Sequence, residues 1–173
     1  VVDYFNHLEL GVCLRINALS RRSFVRAFFS AISRMGDYPA YVILGLVIAA
    51  KLGVSDGIPF ILHTLATAGV GVAVYKLIKR YLVRERPYVM HGDILLGTAP
   101  LDRYSFPSGH TLHAVSFTIF YSSYDPSMLF VLLPFAVLVA ASRVILGLHY
   151  PSDVLVGGAI GAAIASTGVA LIA

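Results

Sequence analysis

Apolar runs of about twenty residues recur along this chain, each closed by a short polar break. That is the helix length needed to cross the hydrocarbon core of a bilayer. The fold class this implies is all-α, a polytopic membrane helix bundle. Composition agrees: 58% of the 173 residues are hydrophobic and only 13% are charged, whereas a soluble globular domain carries about a quarter charged residues. The same balance excludes disorder, coiled coil and collagen. No repeat, low-complexity tract or Gly/Ser linker divides the chain, so one integral membrane domain over residues 1–173 is expected. The net charge of +4 does not argue for nucleic acid, because the basic residues sit at the ends of apolar runs, where they mark topology or an anionic site. Cys13 stands alone, which leaves neither a disulfide framework nor a cysteine metal site. The first residues lack the pattern of a signal peptide.

Between Asp3 and Leu19 the apolar residues Tyr4, Phe5, Leu8, Val12, Ile16 and Leu19 recur at helical spacing, with Asp3, Glu9 and Arg15 elsewhere. This predicts an amphipathic helix lying at the membrane interface. Ser20-Arg21-Arg22 interrupts it. Ser23–Met35 is helical again, with Phe24, Phe28, Ala31 and Met35 on one face and Arg26 and Arg34 elsewhere; it reads either as a short crossing or as a second interfacial helix. Five further spans follow: Tyr38–Ala50, which must extend at one end, then Ile58–Leu82, Thr111–Tyr121, Met128–Leu148 and Val154–Ile172. A turn is expected over Leu52–Gly57, a kink at Pro134, and close helix packing at Gly157, Gly158 and Gly161. These crossings put the long polar connection Arg84–Phe106 and the break Leu148–Asp153 on one side of the membrane. Lys51, Asp56 and Asp125 fall on the other.

Three polar clusters gather on the crowded side. Lys79 and Arg86 are seven residues apart, which would place them on one face of a helix ending near Pro87; a juxtamembrane basic cluster with Arg80 and Arg84 is the plainer reading. Pro107-Ser108-Gly109-His110 opens the next span, where Ser108 can cap, Gly109 admits close backbone approach, and the free N–H groups suit an anion. An ordinary helix start with an interfacial histidine accounts for it equally, and His113, one turn deeper, reads as packing or a structural hydrogen bond. In the third cluster Arg143 lies within an apolar span, where a charge is costly without a partner. His149 precedes Tyr150-Pro151, and Asp153 falls in the first turn of the last helix, within reach of the imidazole. A structural Arg–Asp pair is the competing account. Two histidines, an aspartate and three cations together suit a phosphoryl group, whose oxygens carry charge through the transition state.

The order Lys79-(six residues)-Arg86-Pro87, Pro107-Ser108-Gly109-His110 and Ser142-Arg143-(five residues)-His149-(three residues)-Asp153 resembles the type-2 phosphatidic acid phosphatase superfamily. This group includes lipid phosphate phosphatases, undecaprenyl pyrophosphate phosphatases, phosphatidylglycerophosphate phosphatases and vanadium haloperoxidases. The resemblance implies that His149 is the nucleophile, Asp153 orients it and His110 is the general acid. It implies that Lys79, Arg86 and Arg143, with Ser108 and the Gly109 backbone, hold the phosphate. It further implies no metal or other cofactor, and about six transmembrane helices preceded by the amphipathic interfacial helix. The active site would face the periplasm or exterior of a bacterial cytoplasmic (inner) membrane. The expected partners are a lipid phosphate substrate and membrane lipids, with no nucleic acid; oligomeric state is not legible.

A transporter or channel with an anion site at one end of the bundle is the alternative from another class, weakened because the charges converge at one end rather than at the midplane. A haloperoxidase would share the chemistry, but those members are soluble. Zinc is unsupported by any His-x-x-x-His or Cys pair. The motifs describe a phosphate and not its carrier: a polyprenyl pyrophosphate, a phosphatidylglycerophosphate and a lipid A phosphate all fit. Tyr88, His91, Asp93, Asp102, Arg103 and Tyr104 in the Arg84–Phe106 loop are candidates for selecting among them.

Overall fold

The computed structural model describes residues 2–171, with side chains from Leu8 onward. Asp3, Tyr4 and Phe5 of the expected amphipathic stripe have side chains outside the described residues, as does Ile172 of the expected last span. Seven α-helices run through the described residues: α1 Val2–Asn17, α2 Ser23–Met35, α3 Pro39–Tyr81, α4 Pro87–Met90, α5 Gly109–Tyr124, α6 Leu129–Ile145 and α7 Pro151–Ala170. Three stretches are long and apolar enough to cross a membrane: Pro39–Tyr81, Pro126–Ile145 and Pro151–Ala170.

The 43-residue α3 is two arms rather than one rod. Gly53 sits at φ +75° inside it, a left-handed conformation that costs a residue with a Cβ and suits glycine. The contacts with α5 establish the reversal. Along the first arm Tyr38 meets His113 at 5.5 Å and Tyr41 meets Phe117 at 4.7 Å between ring centroids. Along the second, Phe60 meets Tyr124 at 4.9 Å and Tyr75 returns to His113 at 6.0 Å. The arms are therefore antiparallel, and the turn expected over Leu52–Gly57 is where the hairpin bends.

Helix α5 forms the centre. At 16 residues it is short, but the arms of α3, α6 and α7 all pack against it, and Leu112, Ala114, Phe117, Phe120 and Tyr121 are buried. Its closest neighbour is α7, where the expected small-residue face is used: a Cβ on Gly157 would lie 2.5 Å from the Ser108 carbonyl oxygen, and one on Gly161 would overlap the Leu112 carbonyl. Ser116 Oγ donates to the Gly161 carbonyl at 3.0 Å. Helix α2 lies against α6 through Ser30 and Ser33, leaving Phe24, Phe28 and Met35 exposed. Exposed Val42, Ile43, Leu46, Leu62, Leu65, Phe130, Val131 and Leu155 ring the bundle, a surface suited to lipid rather than water. Pro134 lies inside α6, which continues past it to Ile145.

The two ends of the bundle differ. At one, Lys51 Nζ pairs with Asp125 Oδ2 at 3.1 Å, tying the α3 hairpin to the turn after α5. At the other gather the starts of α5 and α7, the ends of α2, α3 and α6, and the connection from α3 to α5.

Candidate active site

Helix α6 stops at Ile145, and Gly147 at φ +73° turns the chain. A Cβ there would lie 2.7 Å from the Leu95 carbonyl oxygen, so both conformation and space call for glycine. The turn presents His149, whose backbone N–H donates to the Arg143 carbonyl at 3.0 Å. Helix α7 then opens at Pro151, with Asp153 Oδ2 accepting the Tyr150 N–H at 2.8 Å in a capping box. Asp153 is wholly buried and His149 nearly so.

Asp153 Oδ2 lies 3.6 Å from His149 Nδ1, close but longer than a hydrogen bond. The other ring nitrogen settles the tautomer. Nε2 lies 3.3 Å from an Arg86 terminal nitrogen, and a guanidinium only donates. Nε2 therefore carries the lone pair, and in the neutral ring the proton sits on Nδ1, facing Asp153. Burial, followed by the charges of Arg143, Arg86 and Lys79, holds the imidazole well below its ordinary pKa, so the neutral form prevails.

Lys79 and Arg86 do converge, though not along one helix face. Helix α3 ends at Tyr81, and Arg86 is extended at φ −77°, ψ 151° before the single turn of α4. The expectation that both residues share a helix face ending near Pro87 is thus corrected: Pro87 forces the extended residue before it, but the helix has already stopped. Asp102 bridges the two cations instead, accepting from Lys79 Nζ at 2.7 and 2.8 Å and from Arg86 at 2.6 Å. Partial burial raises the Asp102 carboxyl, but its bonds to Lys79 and Arg86 outweigh that and hold it below the usual carboxylate range. Arg86 also donates to the Leu148 carbonyl at 2.8 Å. Arg143 enters from α6, almost fully buried; it donates to Ser33 of α2, while its Nε has no acceptor among the described residues. It forms no pair with Asp153, whose arginine partner is Arg84 instead.

Ser108 caps α5, its Oγ accepting the Thr111 N–H at 3.4 Å, and its own N–H donates to the Asp153 carbonyl at 3.0 Å. The start of α5 is thus bolted to the start of α7. His110 in the first turn of α5 sets Nε2 against Asp37 Oδ1, a pair that is ionic only while the imidazole is protonated. Asp37 is delivered by the bend between α2 and α3, where Tyr38 takes φ +81°, an uncommon conformation for a residue with a side chain. His113 is buried, has no partner for either ring nitrogen among the described residues, and stacks on Phe117 at 5.8 Å, so it packs as expected.

One pocket collects Lys79, Arg86, Gly109, His110, Arg143 and His149, together with Asp37, Asp102, Tyr38, Tyr75 and Leu101. Ser108 and Asp153 stand immediately behind it. Every motif residue is therefore at one place. Asp37 was absent from the expected site, and Asp102 was expected only as a loop residue that could select the substrate; the available signal was an acid in a polar break of a membrane chain, next to cations that need partners. Chemically, the pocket offers three cations for an anionic group and a histidine nitrogen whose lone pair faces Arg86. Across from that nitrogen stands a second histidine held by a carboxylate.

Residues 60–172 match the family model described as PAP2 superfamily. A decaprenylphosphoryl-5-phosphoribose phosphatase of Mycobacterium tuberculosis is 32% identical over 90% of this chain and 86% of its own length. Among solved structures, LpxE of Aquifex aeolicus superposes with a TM-score of 0.78 at 24% identity, over 94% of this chain and 95% of that one. A transmembrane PAP2-type phosphatidylglycerolphosphate phosphatase of Bacillus subtilis superposes with a TM-score of 0.70 at 23% identity, over 94% and 86%.

Proposed function

The chain belongs to the PAP2 superfamily, as a membrane lipid phosphate phosphatase, and we propose that it works without a metal through a phosphohistidine on His149. The observation that carries this reading is the lone pair of His149 Nε2, presented among three buried cations. Lys79, Arg86 and Arg143, with Ser108 and the Gly109 backbone, hold the phosphate oxygens; the free Nε of Arg143 suits one of them. Nε2 attacks phosphorus while Asp153 steadies the proton on Nδ1. The bond from phosphorus to the leaving oxygen breaks, and His110, held by Asp37, gives that oxygen its proton. Water then attacks the phosphohistidine and returns a proton to His110. Inorganic phosphate leaves and His149 is restored.

In the membrane arrangement proposed here, α2, the two arms of α3, α5, α6 and α7 make six crossings of one domain. Helix α1 lies in the interface, its Leu8 and Val12 outward, with Leu19 exposed in the turn that follows. The site then opens at the outer face of a bacterial cytoplasmic membrane. Polyprenyl pyrophosphate, phosphatidylglycerophosphate and lipid A phosphate are the candidate substrates. The M. tuberculosis relative adds a polyprenyl-linked phosphosugar. Purified protein in detergent, assayed for phosphate release over these lipids with EDTA present, tests the reading. Release from at least one lipid, at full rate in EDTA and blocked by vanadate as a transition-state mimic, is expected. No release from any of them would favour the transport alternative.

A further inference from the structure

Arg84 belongs to the extended segment after α3 and touches none of the phosphate-binding groups, yet its guanidinium organises the back of the site. One terminal nitrogen donates to Asp153 Oδ1 and to Ser152 Oγ, each at 2.7 Å. The other donates to Glu9 Oε2, also at 2.7 Å. The remaining oxygen of Glu9 accepts the Ser152 N–H at 2.7 Å, a first-turn donor of α7 with no partner inside its helix. The guanidinium lies 3.9 Å over the Tyr150 ring. Among the described residues, Arg84 is the one Arg or Lys within ion-pair distance of Asp153.

A fully buried carboxylate left without a cation carries a heavy desolvation penalty, and Lys79, Arg86 and Arg143 are turned towards the phosphate pocket. We propose that Arg84 and Glu9 are positioning residues for the Asp153–His149 pair, through which helix α1 is latched to the catalytic centre. The inference rests on the nucleophilic role of His149 given above. Arg84 fixes Oδ1 of Asp153, which leaves Oδ2 aimed at the Tyr150 N–H and at His149 Nδ1. Glu9 fixes Arg84 in turn, and the two-pronged hold requires the planar fork of arginine. Because Glu9 rides on the amphipathic α1, the seating of that helix bears on the geometry of the nucleophile.

Two measurements on the full chain in detergent decide this. In steady-state kinetics Arg84→Ala lowers kcat by roughly ten- to a hundredfold, the scale on which removing an outer partner of a metal-bound histidine acts, with KM little changed. Arg84→Lys recovers part of the rate. Glu9→Gln loses less than Arg84→Ala, and Glu9→Gln combined with Arg84→Ala is no slower than Arg84→Ala alone, as a shared route requires. Rates near wild type, a rise in KM in place of the fall in kcat, or multiplying losses would overturn the proposal. The second measurement needs no turnover. In ¹⁵N-histidine NMR spectra the His149 signal, identified by its absence from His149→Ala, reports the proton on Nδ1 in the wild type. That preference weakens in Arg84→Lys and Glu9→Gln, and an unchanged tautomer in both contradicts positioning. A wild type that hydrolyses no lipid phosphate would defeat the proposed function, while the tautomer comparison would still judge the latch.

Discussion

At the scale of single residues, the site is a balance of charges in which Lys79 and Arg86 share one acid, Asp102, while Arg143 donates to Ser33. Among the described residues, Asp102 is the one acid placed directly on two of the cations proposed to hold phosphate, so its negative charge would oppose an incoming phosphate. Asp102→Asn keeps an acceptor for Lys79 and Arg86 but removes that charge. It should therefore lower both the KM for lipid phosphate and the inhibition constant of inorganic phosphate. A rise in both would mean that Asp102 serves chiefly to orient the cations. His149 titrates in the same sense as a surface histidine but at lower pH: burial and the cations Arg143, Arg86 and Lys79 depress it, so the neutral imidazole persists below pH 6.5 and is lost only on further acidification. The acid limb of kcat/KM, which reports the free enzyme, should lie well below that value. Lys79→Ala, by removing one repelling charge, should move the limb up. A limb that does not respond would show that another group controls it. The motif residues were readable from the chain because their spacing is fixed within short segments. The pairings of Asp37, Glu9 and Arg84 were not, because they join segments distant along the chain: Glu9 and Arg84 are 75 residues apart; Asp102 was legible as a loop residue that could select the substrate, but not as the partner of Lys79 and Arg86. A charge at the end of an apolar run also looks the same whether it meets a headgroup or a catalytic aspartate.

At the scale of helices, the site depends on how closely α5 and α7 approach. Gly157 and Gly161 bring the α7 backbone against the carbonyls of Ser108 and Leu112, and the Ser108 N–H then reaches the Asp153 carbonyl. Gly161→Val would force the helices apart. Overpacking of this kind costs about 1–3 kcal/mol, and here it would also move His110 relative to His149. We expect a lowered thermal midpoint in detergent together with loss of activity; an active variant of undiminished stability would contradict the close-packed seam. This seam was legible from its glycine spacing, as was the hairpin turn near Gly53. The end of α3 was legible from its apolar run, since the expected span Ile58–Leu82 stops within one residue of Tyr81; Pro87 alone misplaced it, because it marks a residue that cannot be helical without revealing that the helix has already stopped. Helix α5 also lies between two readings: with 16 residues and buried Thr111, His113, Ser116 and Thr118, it is a core helix that owes its place to the neighbours around it.

At the scale of the whole molecule, one end of the bundle is chemical and the other structural, and the proposed six crossings put them on opposite sides of the membrane. In a Cys13→Ser background, Asp56→Cys and Leu101→Cys should react with a membrane-impermeant maleimide from opposite faces of sealed vesicles; labelling from the same face would break the topology. The central claim is the covalent intermediate. Rapid quench of the enzyme with a ³²P-labelled lipid phosphate, worked up in alkali to preserve phosphohistidine, tests it most directly. Label should appear on the wild-type chain within one turnover and be absent from His149→Ala, whereas His110→Ala should form it slowly and release it slowly. Undiminished labelling of His149→Ala would contradict the assignment of the nucleophile and turn attention to His110.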